Sequence, residues 1–137
     1  MHRLLASTLV AAVCLVADCA VSSASPVGLW LAQDGAKIRI SPCGRYLCGI
    51  LVLPAAGQAT ATDRNNADPA KRGRPLAGIE VLISMRHDAP NKWTGHVYNE
   101  DDGKIYEAHL IENDASNIRI EGCWLGLCGG QDLTRIK

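Results

Sequence analysis

Phenylalanine is absent from this chain, and three Trp and three Tyr are all the aromatics it has. Its interior must therefore be lined mainly by Ile, Val, Leu and Ala. An excess of either charge is missing too, with 14 Lys and Arg against 14 Asp and Glu. A neutral chain exerts no long-range pull on nucleic acid or on an anionic membrane, so non-specific electrostatic binding is a poor account of its function. Disorder is excluded from the other side, because 47% hydrophobic and 20% charged residues can support a core.

Catalytic signatures are scarce as well. Ser41, Ser84 and Ser116 lie outside any G-x-S-x-G elbow, and no H-E-x-x-H occurs. His87, His96 and His109 fall in three separate strand regions, so a metal site could arise only where distant elements converge, and none is expected. Glu80, Glu107 and Glu121 read as strand-surface charges rather than a glycosidase pair. Asn99-Glu100-Asp101-Asp102-Gly103 lacks the alternating ligands of a calcium loop and reads as a hairpin turn. Neither a cofactor nor an enzymatic activity is expected.

What is present begins with an export pattern. His2 and Arg3 precede the apolar run Leu4 to Ala17, and Val21-Ser22-Ser23-Ala24 supplies the small residues before a cut at Ser25. A spanning helix would need about 20 apolar residues, and Asp18 interrupts the run first. Cys19 suits lipid attachment poorly for the same reason, with Asp18 directly before it. Cleavage after residue 24 leaves a single domain, 25–137, in the periplasm or outside the cell, with no membrane span.

The same cut removes Cys14 and Cys19 and leaves Cys43, Cys48, Cys123 and Cys128, two pairs of identical C-x-x-x-x-C spacing. In an oxidising compartment these favour two local disulfides, Cys43 with Cys48 and Cys123 with Cys128. Each would close a four-residue hairpin loop, where facing Cβ atoms sit about 4.5 to 5.5 Å apart. A four-thiolate zinc site would ask for a reducing compartment and tighter spacing.

Short apolar runs broken by turn residues fill the rest. Val27 to Ala32, Ala36 to Cys43, Leu47 to Leu53, Ala77 to Arg86, Lys92 to Asn99, Lys104 to Ile111, Asn117 to Cys123 and Gln131 to Ile136 read as eight strands. Alternation is clear in Lys37-Ile38-Arg39-Ile40, and Asp34-Gly35 and Asp102-Gly103 suit tight reversals. No apolar stripe at helical spacing occurs outside the export segment. The pattern predicts an all-β fold, an eight-stranded antiparallel up-and-down barrel, because closure removes exposed edges. A two-sheet sandwich is the alternative.

One connection, Pro54 to Leu76, is far longer than the rest, and connections of this length are usually functional or mobile. It concentrates Lys71, Arg72 and Arg74 near Asp63, Asn66 and Asp68. Placed beside an open barrel end, Asp63, Asn66, Arg72 and Arg74 would form a polar mouth, with paired Arg donors for an anionic head group.

Four motifs carry a family resemblance: Gly28-x-Trp30; Asp63, Asn66 and Arg72-Gly-Arg74-Pro75-Leu76-x-Gly78; Trp93-x-Gly95-x-Val97-Tyr98-Asn99 with Asp102-Gly103-Lys104-x-Tyr106; and Gly122-Cys123 with Cys128 and Thr134-Arg135. Together they resemble the bacterial secreted proteins of domain of unknown function family 2147. Ala67 and Leu133 depart from the pattern. The resemblance implies a small lipocalin-like barrel in the periplasm, with no established chemistry. The first and last strands of such a barrel are neighbours, so Arg135 can lie over the Trp30 ring and seal one end. An eight-stranded barrel can hold one small ligand. A small apolar or anionic amphiphilic ligand is therefore expected; the alternative is an envelope protein-interaction module with a filled barrel, its partner unspecified.

Overall fold

The computed structural model describes residues 25–137, so the expected export signal, 1–24, lies outside the described residues. Eight strands run in order: β1 (Gly28–Ala32), β2 (Lys37–Cys43), β3 (Tyr46–Leu53), β4 (Glu80–Ala89), β5 (Lys92–Asn99), β6 (Lys104–Asp114), β7 (Asn117–Trp124) and β8 (Leu127–Arg135). Each pairs antiparallel with the next, and β8 returns to β1 to close the barrel. The up-and-down barrel is therefore the fold, not the sandwich. Among the described residues the helical content is one short 3₁₀ turn, Pro69–Lys71, and no helix is long and apolar enough to cross a membrane.

Four strand boundaries differ from the sequence reading by three or more residues: β4 and β6 each run three residues further, to Ala89 and Asp114, and two starts are displaced. β4 starts at Glu80 rather than Ala77, because Leu76 to Ile79 makes a turn: the Ile79 N–H donates to the Leu76 carbonyl. β8 starts at Leu127, four residues before the expected Gln131. Gly129 and Gly130 have weak strand propensity, but the Cys123–Cys128 bridge and the facing β7 hold them in the ladder.

Both disulfides pair locally, with geometry finer than expected. Cys123 and Cys128 face each other across a two-residue turn, Cα atoms 4.1 Å apart. Cys43 faces Tyr46 and Cys48 faces Ser41, so the first bridge runs diagonally, at 5.8 Å. The hairpin loops are two residues long, not four, in both cases.

Antiparallel order sorts the connections between two ends. The β2–β3, β4–β5 and β6–β7 turns lie at one end with both ends of the described residues, Ser25 and Lys137. The β1–β2, β5–β6 and β7–β8 turns lie at the other with the long connection between β3 and β4. At the first end Arg135 faces Trp30 in the ladder, its guanidinium carbon 4.3 Å from the ring centroid. The guanidinium also donates to the carbonyls of Ala115, Val27 and Ser25, and the Trp30 indole N–H donates to Pro26. Trp30, Ile40, Met85, Leu110, Ile118 and Leu133 are fully buried. They fill the half of the barrel next to this closure.

Candidate functional site

The other half is hollow. A cavity of about 640 Å³ opens at the end that carries the long connection, within the range of roughly 300 to 1,000 Å³ usual for small-molecule sites. Its wall is aliphatic, with Ile38, Leu51, Leu82, Val97 and Ile120 drawn from five strands. Of the six fully buried side chains that fill the closed half, none borders it.

Glycine makes the space. Gly122 on β7 faces Gly129 on β8, and both line the cavity. A Cβ added at Gly129 would meet nothing within 4 Å, so a side chain there would project into open volume. Sequence reasoning missed this pair by ending β7 at Cys123 and starting β8 at Gln131. A partial signal was there: if Cys123 and Cys128 are taken to face each other across a two-residue turn, Gly122 and Gly129 are the next facing pair.

At the rim lie Asp34 of the β1–β2 turn, Glu100 and Asp101 of the β5–β6 turn, and the Tyr106 and Trp124 rings in an edge-on pair with centroids 6.1 Å apart. Burial pushes the Glu100 carboxyl above the usual Glu range, and the negative charges of Asp101, Asp34 and Asp63 push the same way. Sequence analysis had read both turns as turns and nothing more. Only the closed barrel brings them to one opening.

The four residues expected at a polar mouth do lie together beside the open end, but none borders the cavity. They meet each other instead. Asp63 is fully buried, and its carboxylate accepts from the Tyr98 hydroxyl at 2.5 Å, the Asn66 amide at 2.9 Å and the Arg74 Nε at 2.9 Å. Arg72 Nε donates to the Asn66 carbonyl at 2.8 Å, and Asp68 caps the 3₁₀ turn by accepting from the Ala70 N–H. Burial alone would raise the Asp63 pKa, but the Tyr98, Asn66 and Arg74 donors outweigh it and hold the group below the usual Asp range. Burial and the bond to Asp63 together push Tyr98 up to about 12. This knot fastens the long connection to β5, and Asn65 adds amide bonds to the Glu100 and Asp101 carbonyls. A smaller surface pocket of its own borders Asn66, Arg74, Tyr98 and Ile105.

The approach is close at Gly103, which follows those turn residues at φ 70° and would drive a Cβ into the Asn65 carbonyl. The rim of the cavity is thus held in place by the long connection, although the connection lends no side chain to the cavity wall.

The His residues and the other Glu residues of the strands, buried Glu112 apart, face outward. His87 stacks at 4.9 Å on Trp93. His109, Glu121, Cys123 and Cys128 converge within 4.8 Å, but the two sulfurs are bonded to each other and supply no thiolate. Glu121 is occupied by Arg119, which also reaches Asp132. The sequence could show the members of this cluster but not their convergence, which comes from the β6–β7–β8 register. Glu80 and Glu107 are exposed.

Residues 28–135 match the model of a bacterial family described as "Uncharacterized protein conserved in bacteria (DUF2147)". The chain belongs to this family. No curated protein matches it. A similar solved structure is protein HP1028 from the human pathogen Helicobacter pylori, described as belonging to the lipocalin family. It has 16% identity and a TM-score of 0.75, over 83% of this chain and 84% of that one. At that identity the likeness shows the fold, a lipocalin-like barrel.

Proposed function

We propose that this member of the family is a non-enzymatic binding protein of the bacterial periplasm or exterior that holds one small apolar or amphipathic molecule in the hollow half of its barrel. The observation that carries the reading is the division of the interior: one half is packed solid behind Trp30, and the other is an aliphatic cavity left open by Gly122 and Gly129. An unfilled apolar space costs stability, so its retention beside a well-packed half favours a use for it. Two disulfides suit an oxidising compartment, in keeping with the export pattern. The lipocalin description of HP1028 supports the reading by analogy of fold.

The test fills the cavity. Gly129→Leu should abolish binding of an apolar naphthylamine fluorophore while leaving the melting temperature within a few degrees, because the new side chain enters open space. Fluorophore binding that survives the substitution, or its absence from the unaltered protein, overturns the proposal.

A second reading, an interaction module that docks to another envelope protein, has one observation in its favour. The β7–β8 hairpin tip exposes Trp124 at 62%, Leu125 at 87% and Leu127 at 79% of their surfaces. Trp124 and Leu127 also form the cavity lip, so the exposure is accounted for under the first reading too.

A further inference from the structure

The cavity wall is largely aliphatic and its other polar side chains, Asn99 and Gln131, are neutral, so the choice of head-group charge falls to the rim, and the rim carries charge of one sign. Asp34, Glu100 and Asp101 border the opening, and no Lys, Arg or His does. Among the described residues none of the three takes part in an ion pair. Lys104, which starts β6 opposite Asn99, is exposed and does not border the cavity. Arg74, the cation that could have answered these acids, is bound to Asp63. A chain that is neutral overall therefore presents an uncompensated negative opening to an apolar hollow.

Two aromatic rings stand at the same opening. Tyr106 and Trp124 meet at an interplanar angle of 80°, and Trp124 keeps 62% of its surface exposed. A cationic head group is attracted to the face of such rings as well as to carboxylates. An anionic head is repelled by both. The like-charge repulsion on Glu100 points the same way: its neighbours disfavour another negative charge at this place, and a bound cation would relieve that strain.

We propose that the barrel cavity selects cationic amphiphiles, with an apolar chain inside the aliphatic wall and an amine or quaternary ammonium group held between Asp34, Glu100 and Asp101 and the Tyr106 and Trp124 rings. This rests on the reading of the cavity as a binding site. It reverses the head-group charge expected from the arginine-rich connection, because Arg74 and Arg72 direct their Nε to Asp63 and Asn66 and neither borders the cavity.

Three probes with the same chain and different heads test it: dodecyltrimethylammonium, dodecanol and dodecyl sulfate, each titrated below its aggregation limit by calorimetry. The expected order of affinity is cation over alcohol over sulfate. The double variant Glu100→Gln/Asp101→Asn should shrink the cation-over-alcohol preference about tenfold, the equivalent of roughly 1.4 kcal/mol. Equal affinities for the three heads, a preference for the sulfate, or a preference for the cation that the double variant leaves intact would overturn the selectivity while leaving the cavity a binding site. Failure of all three to bind would overturn the cavity reading itself, and this proposal with it.

Discussion

The two ends of this barrel use charge in opposite ways. At the closed end one cation, Arg135, is fully employed: it covers the Trp30 ring and donates to three backbone carbonyls, Ser25 and Val27 before β1 and Ala115 in the β6–β7 turn. At the open end three carboxylates border a largely aliphatic hollow, and among the described residues none has a partner in an ion pair. Satisfied polar groups hold a structure in one arrangement, whereas unsatisfied ones leave free energy for something else to bind. Beside the open end, the Asp63 knot binds Arg74 and Asn66, and none of the three borders the cavity.

The sharpest test of the closed end is removal of its ring. Trp30→Ala deletes a fully buried aromatic and the surface on which Arg135 rests. It should cost about 3 to 5 kcal/mol, against a total stability of about 5 to 15 kcal/mol for a typical domain. Urea unfolding followed by circular dichroism checks this. A loss under 1 kcal/mol would mean that the filled half does not depend on its closure, and the contrast between the ends would collapse.

That closure was legible in the sequence, and the reason is topological. In an up-and-down barrel the first and last strands must pair, so Trp30 near the start and Arg135 near the end could be placed together without coordinates. Strand number, the long connection and local disulfide pairing were legible for similar reasons, since each rests on residues close in sequence. The cavity wall was not. Whether an eight-stranded interior is filled or hollow depends on which small residues face one another, and the Gly122–Gly129 pairing is a matter of register across a hairpin whose start was misplaced by four residues. The acids of the rim were visible as turn residues, but their sharing of one opening is a property of the closed barrel. The arginines were misleading for a physical reason: a charge run in sequence says nothing about which acids will fold against it, and Asp63 lies eleven residues before Arg74.

A middle-sized effect is expected at the knot. Asp63→Asn removes the charge and replaces one of the two accepting oxygens with a donor, so either Tyr98 or the Arg74 and Asn66 pair loses its acceptor, and it should cost about 2 to 3 kcal/mol at neutral pH. Arg74, partly exposed, recovers some of its loss in water. Because the folded protein holds the Asp63 carboxyl below its usual range, its stabilisation is fully present above the ordinary Asp value and is lost as pH falls through the folded one. The gap between the unaltered protein and Asp63→Asn should therefore narrow in strong acid, as measured by thermal unfolding across a pH series. A gap that stays constant would show that the charge of Asp63 does not hold the connection in place.

The smallest effect, and the one that most refines the contrast, is expected at Glu112. This residue sits on β6 opposite Ile118, 8% exposed, and its Oε2 has no hydrogen-bond donor. It is the one imperfection at the filled end. Burial pushes its carboxyl above the usual Glu range, and the positive charge of Arg135 only partly opposes that. With the folded value raised, the acid form is the one the fold prefers: stability is fully present below the ordinary Glu value and is lost as pH rises through the folded one. At neutral pH, above the ordinary Glu value, the unaltered protein thus bears the cost of this upward shift. Glu112→Gln keeps the shape and removes the charge, and should gain about 0.5 to 1 kcal/mol at neutral pH. The gain should shrink toward zero as the pH is lowered into the range where Glu112 protonates. A loss of stability at neutral pH would mean that attraction to Arg135 outweighs the burial, and that the closed end depends on a carboxylate as the open end is proposed to do.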